Sequence, residues 1–149
     1  MSRMTSLRIF LVAVNGFVAV TAISGAIWVV PTMPSEWMRS GPFTDWTIPA
    51  LALGFVGALA AAAAMLILVR PWAGALASVV AGVAMIAFEL VEIAVVGWTL
   101  ADPSLEGFQQ WLQVVYIALG SVQAWLGFVL WMVTRRTAPL LPFIHPAAP

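Results

Sequence analysis

The sequence predicts an all-α protein: a transmembrane four-helix bundle with antiparallel neighbours and both termini cytoplasmic. Three observations predict it. Of the 149 residues 63% are hydrophobic and 8% charged, with a mean hydropathy of +1.05, whereas a soluble domain carries about 25% charged residues. Such a composition cannot cover a water-facing surface. Apolar runs of the length that spans a bilayer as a helix, about 20 residues, recur four times with short connections. The arginines fall on one side of the resulting bundle, which fixes its orientation by the excess of basic residues in cytoplasmic segments.

The four-helix domain is expected over residues 1–136, with spans at about 8–30, 46–70, 73–99 and 111–134. The first run follows a short start carrying Arg3 and Arg8. It exceeds the roughly 7–15 apolar residues of a signal peptide, so a retained helix is expected. Pro31, Pro34 and Pro42 break up the first outer connection, because proline lacks a backbone donor and clashes inside a helix. Asp45 is placed to cap the second helix. That helix is mostly Ala, Leu, Gly and Val, and Gly54, Gly57, Ala61 and Ala64 form a small-residue face suited to close packing in lipid.

Pro71-Trp72 reads as a tight turn into the third run. Ser78, Gly82, Met85, Glu89, Glu92 and Val96 follow one another there in steps of three and four, so they share one helix face. Asp102-Pro103 reads as an N-cap with proline at the first helical position of the fourth helix. The polar stripe of that helix is Gln113, Tyr116, Gly120, Gln123 and Gly127. A proline-rich cytoplasmic tail occupies residues 137–149. Arg3, Arg8, Arg70, Arg135 and Arg136 lie on one side, and only Arg39 lies on the other, among Glu36, Asp45, Asp102 and Glu106. Trp28, Trp37, Trp46, Trp98 and Trp111 would form an outer aromatic belt.

Glu89 and Glu92 stand out because ionisable groups at membrane depth are costly and by default mark function. No basic residue lies inside a span to pair with them. At about 1.5 Å per residue, depth counted from Trp98 and Trp111 sets Tyr116 level with Glu92 and leaves Gly120 opposite Glu89. A polar seam between the first, third and fourth helices is expected, composed of Glu89, Glu92, Tyr116, Gln113, Gln123, Ser24, Thr21 and Asn15. It is interhelical glue, a proton, cation or polar-ligand site, or a contact with a partner membrane protein.

Other chemistry finds little support. There is no cysteine, which excludes disulfides and thiolate chemistry. The one histidine, His145, sits in the tail, so no hydrolytic triad, haem or zinc site is expected inside the bundle. Zero net charge leaves no nucleic-acid footprint. No catalytic residue, cofactor or metal site is assigned.

Met33-Pro34, Trp37, Pro42-Phe43, Asp45 and Ile48-Pro49 in the first outer connection, with Glu92 and Trp111-Leu112-Gln113-x-x-Tyr116 later, resemble a pattern in small bacterial four-span membrane proteins of unassigned function. There it reads roughly Met-Pro-x-x-Trp, then Ser-Pro-Phe-x-Asp-x-x-Ile-Pro-Gly. Gly41 replaces the usual serine and Ala50 the usual glycine. The resemblance implies a multi-pass protein of the bacterial inner membrane, with no substrate or cofactor. The position of the outer connection suggests a lid, with Trp37, Phe43 and Asp45 over the seam.

Taken together, the sequence reads as a non-enzymatic helix bundle or accessory subunit in a lipid bilayer, partnered by its own copies or another membrane protein. The alternative is a small proton-coupled transporter or ion pathway using Glu89 and Glu92.

Overall fold

The structure is a computed structural model; it describes residues 3–32, 45–96 and 103–137, with side chains described up to residue 94 and again over 111–135. Trp37, Phe43 and the rest of the first outer connection up to residue 44 lie outside the described residues, as do Trp98 and the tail from 138. Four helices make the described fold: α1 (Arg3–Thr32), α2 (Thr47–Val69), α3 (Pro71–Val96) and α4 (Pro103–Thr137). Each contains a stretch long and apolar enough to cross a membrane. At about 1.5 Å per residue, α2 alone reaches roughly 35 Å, enough for a hydrocarbon layer of about 30 Å.

The helix ends depart from the expected spans in two places. Pro31 lies inside the last turn of α1, which continues to Thr32. Proline there removes the N–H that would bond the Ile27 carbonyl, and α1 ends at the next residue, whose Oγ1 donates to the Trp28 carbonyl at 2.6 Å. Pro71 is the first residue of α3 rather than part of a turn, so the link between α2 and α3 is Arg70 alone. Proline suits a first helical position, where its missing N–H costs no bond. α4 begins at Pro103, the first helical position that the Asp102-Pro103 pair predicts, and its membrane-spanning stretch starts at Trp111 as expected.

Packing follows chain order. α1 lies against α2, α2 against α3 and α3 against α4, while α1 meets α4 along a narrower strip. The α2–α3 hairpin is tight: a Cβ on Gly74 would collide with the backbone of Leu66 and Ile67, so only glycine fits. The C-terminal carbonyls of α2, which have no helical partner, are partly satisfied nearby. Leu66 O accepts from the Arg70 N–H at 2.7 Å, and Ile67 O accepts from the Arg8 guanidinium at 3.1 Å. A cation at a helix C-terminus also complements its dipole. Arg135 lies over the Trp131 ring, 5.2 Å from its centroid, and Trp131 packs on a cluster with Leu7, Leu11 and Ile67. Arg8, Arg70 and Arg135 therefore share one end of the bundle.

The core has two apolar layers. One, at the arginine end, holds Leu11, Ile67, Ala75 and Leu130. The other holds Val18, Ala19, Ala22, Val56, Ala60, Ala81 and Met85, with Phe88 and Tyr116 packed against it. The outward faces carry large apolar residues, among them Val20, Ile27, Leu51, Phe55, Leu68 and Val83. A bilayer solvates such a surface; water would not. Trp28, Trp72 and Trp111 are exposed, as ring anchors at a membrane boundary should be. Trp46 is not: it is buried at 9% exposure, a departure from the expected outer belt. On α2 the buried positions are Ala50, Val56, Gly57, Ala60, Ala63 and Ile67. Gly57 alone of the expected small-residue face is fully buried, meeting Ala22 and Ile23 of α1.

At the start of α2, the carboxylate of Asp45 accepts the Thr47 N–H at 2.8 Å. Trp46 is the N-cap and makes no side-chain cap bond, so Asp45 supplies it from one residue earlier. The Thr47 bonds favour the charged form and hold the Asp45 carboxyl below its ordinary value of 3.8. A depressed acid contributes stability above its unfolded value, and that contribution is lost as pH falls through the folded value. Carbon-detected NMR titration of Asp45 should give a midpoint below 3.8 in the intact protein and a normal one in Thr47→Pro, which lacks the donor. Equal midpoints would contradict the cap.

Candidate functional site

The buried polar residues are Asn15, Ser78, Glu89, Gln113 and Gln123, each at 2% exposure or less. They occupy two levels. Ser78 and Glu89 are eleven residues apart on α3, or roughly 16 Å along the axis.

The inner level is a junction of α1, α3 and α4. Asn15 Nδ2 donates to Ser78 Oγ at 3.0 Å and to its own helix at Leu11 O, 2.8 Å away. Ser78 Oγ in turn donates to Gly74 O at 2.9 Å. Gln123 Nε2 donates to Asn15 Oδ1 at 2.6 Å. Gln123 Oε1 has no partner. The junction lies between the two apolar layers, since Leu11 and Ala75 belong to one and Val18 and Ala81 to the other. Ser78 is absent from the expected seam residues, although it stands on the same α3 stripe as Glu89. A serine that can bond back to its own helix gives no sequence sign that it also accepts from a neighbour.

The outer level is built by the α3–α4 contact. A Cβ on Gly127 would stand 2.8 Å from Ala75 O and 3.0 Å from Ser78 Cβ. Seven residues on, Gly82 faces the Gly120 carbonyl, and a Cβ on Gly120 would stand 2.8 Å from Gly82 O and 3.3 Å from Met85 Cβ. Each α4 glycine thus enters the space between two α3 residues three apart, in a seven-residue repeat. Small residues permit this close approach of backbones in lipid. Continued by one step, the same repeat brings Gln113 of α4 to the level of Glu89 and Glu92 of α3.

This register corrects the depth reckoning from the tryptophans. Gly120 faces Gly82, Met85 and Ile86, not Glu89. Counting from Trp98 and Trp111 treats the two rings as equally deep, and the helices are shifted by about one turn relative to that assumption. By the same repeat, Glu89 falls level with Gln113 rather than with Gly120.

Glu89 is buried at 2% exposure, and Glu92 is half-buried within electrostatic range of it. Tyr116 is half-buried beside the Met85 layer. Neither Gln113 Nε2 nor Gln113 Oε1 has a hydrogen-bond partner. An unsatisfied buried polar group costs about 1–3 kcal/mol, so Gln113 is the least comfortable side chain in the described core. Two expected seam residues stand apart. Ser24 is exposed on α1, and Thr21 is half-buried with its hydroxyl bonded to Phe17 O and Val18 O of its own helix. Steps of three and four along α1 do bring Thr21 near the face of Asn15, but back-bonding satisfies it locally. Asp45 is exposed and bonded to Thr47.

The chemistry available is that of two carboxylic acids, a primary amide and a phenol. Among the described residues, no three His, Cys, Asp or Glu side chains group closely enough to hold a metal ion. An open groove of about 650 Å³ between α1 and α2, lined by Ile23, Ile27, Ala50 and Phe55 among others, is apolar and includes none of the buried polar residues. Compared with protein-family models, curated proteins and solved structures, the chain matches none of them.

The inner junction has an ordering that can be measured. Removing Asn15 strands Gln123 Nε2, whereas removing Ser78 leaves Asn15 its bonds to Leu11 and Gln123. Reversible unfolding in bicelles should show Asn15→Leu more destabilised than Ser78→Ala, by about 1 kcal/mol or more. Membrane hydrogen bonds average about 0.6 kcal/mol, so a loss for Asn15→Leu no larger than this average would contradict the junction.

Proposed function

We propose that this small integral membrane protein is a non-enzymatic helix bundle of the bacterial inner membrane, both termini cytoplasmic, acting as an accessory or self-associating subunit. The observation that carries the reading is the Asn15–Ser78–Gln123 junction, whose bonds join three helices of one chain. Polar groups used in this way hold a bundle together. The arginine-rich end supports the orientation. The resemblance of the outer connection to small bacterial four-span proteins supports the membrane assigned.

A second reading, a proton-coupled transporter or ion pathway through Glu89 and Glu92, is favoured by one observation: the unpartnered amide of Gln113 in the same layer. Reconstitution separates the two. For the bundle reading, proteoliposomes should show no proton or cation flux above empty vesicles. Native gels should show a complex that survives Glu89→Gln and Glu92→Gln. Flux in the wild type that either change abolishes would overturn the bundle reading in favour of transport.

A further inference from the structure

We propose that Glu89, Glu92 and Gln113 form a binding site for one sodium ion held by oxygen. The proposal deepens the transport reading and rests on its glutamate pair, but it needs binding only, not flux.

Three observations converge. The seven-residue repeat of α3 against α4 seats Gly127 beside Ala75 and Ser78 and Gly120 beside Gly82 and Met85; continued by one step, it brings Gln113 to the level of the two acids. Gln113 and Glu89 are both deeply buried, at 2% exposure, so bulk water does not serve them. Both polar atoms of the Gln113 amide lack a partner. An amide in that position has one arrangement that satisfies it. Its Nε2 donates to a carboxylate oxygen, and its Oε1, with the remaining carboxylate oxygens, faces a cation.

Charge and size select the ion. One ionised carboxylate and one monovalent cation cancel, so the occupied layer adds no net charge to the hydrocarbon, while the second acid keeps its proton as a donor. Calcium takes six to eight oxygens and magnesium a rigid octahedron. Three side chains on helices whose carbonyls are already used do not supply these. The neighbouring layer, where Gly82 meets Gly120 backbone to backbone, holds the helices too close for a bulky organic ammonium. Sodium and the proton would compete for the same carboxylates, so sodium should bind less tightly as pH falls.

The test is thermal unfolding of the full chain in nanodiscs, followed by the fluorescence of its eight tryptophans. Sodium chloride is compared with choline chloride at equal ionic strength, at pH 8 and pH 5.5. A cation bound only by the folded state raises the transition. The expected result is a higher Tm in sodium at pH 8, a smaller rise at pH 5.5, and no rise in Glu89→Gln or Gln113→Leu. Ser78→Ala, outside the layer, should keep the full rise. A Tm that responds to pH alone, with the response lost in Glu89→Gln, reports protonation of the carboxyl with no bound ion and overturns the site. Should Gln113→Leu fail to fold, Gln113→Asn shortens the amide arm and should reduce the rise. A wild-type Tm indifferent to sodium overturns the site, as does a full sodium response in the Gln113 variant that folds. Binding without flux sinks the transport reading and leaves the site standing.

Discussion

In hydrocarbon a polar group has no water to turn to, and the whole arrangement of this chain follows from that constraint. Four apolar helices offer lipid a surface of Val, Ile, Leu and Phe. The few polar side chains of their buried faces must find each other. Asn15, Ser78 and Gln123 do so across three helices, and the apolar layers above and below close over them. Registers along α1, α3 and α4 are thereby tied together at one depth. Apolar packing alone would restrain sliding less, because alanine and glycine faces look much alike one turn up or down.

The second constraint is spatial. Gly82, Gly120 and Gly127 let α3 and α4 approach until backbone meets backbone. That contact sets the phase of everything further along the pair. The same repeat brings Glu89 and Gln113 to the following layer, where a long polar side chain takes the heptad position that glycine fills elsewhere. The two polar levels differ in kind. The inner one uses most of its hydrogen-bonding capacity within the chain, while the outer one leaves an amide unused. A chain under no demand at that layer could fill it with leucine and gain packing.

Much of this is legible in the sequence. Composition alone establishes a membrane bundle, and the stripes on α3 and α4 identify Ser78, Gly82, Met85, Glu89 and Gln113, Gly120, Gln123 as the inward faces, all of which are buried. What the sequence hides is register. Tryptophans mark a boundary only to within a helical turn, so a depth count sets Gly120 against Glu89 although it faces Gly82. Recurrence at seven residues carries the phase in the sequence itself, through Ala75, Gly82 and Glu89 on α3 and Gln113, Gly120 and Gly127 on α4. Helix ends are hidden for a different reason: Pro31 and Pro71 both read as breaks, but Pro71 takes the first position of α3, where proline is favoured, and α1 runs one residue past Pro31. Thr21 and Ser24 mislead because a hydroxyl can be satisfied by its own helix, as that of Thr21 is, and then its face is free to vary.

The acids of α3 turn away from lipid and toward α4, and the chain lets this be measured directly. It has no cysteine, so single nitroxide labels can be placed without background at positions 89, 90, 91 and 113 of the protein in bilayers. Collision with molecular oxygen, which concentrates in the acyl chains, reports which positions face lipid. Leu90 and Val91 are 55% and 56% exposed, against 2% for Glu89 and Gln113. High oxygen accessibility is expected at 90 and 91 and low accessibility at 89 and 113; oxygen reaching 89 as freely as 90 would contradict the inward turn of the acids.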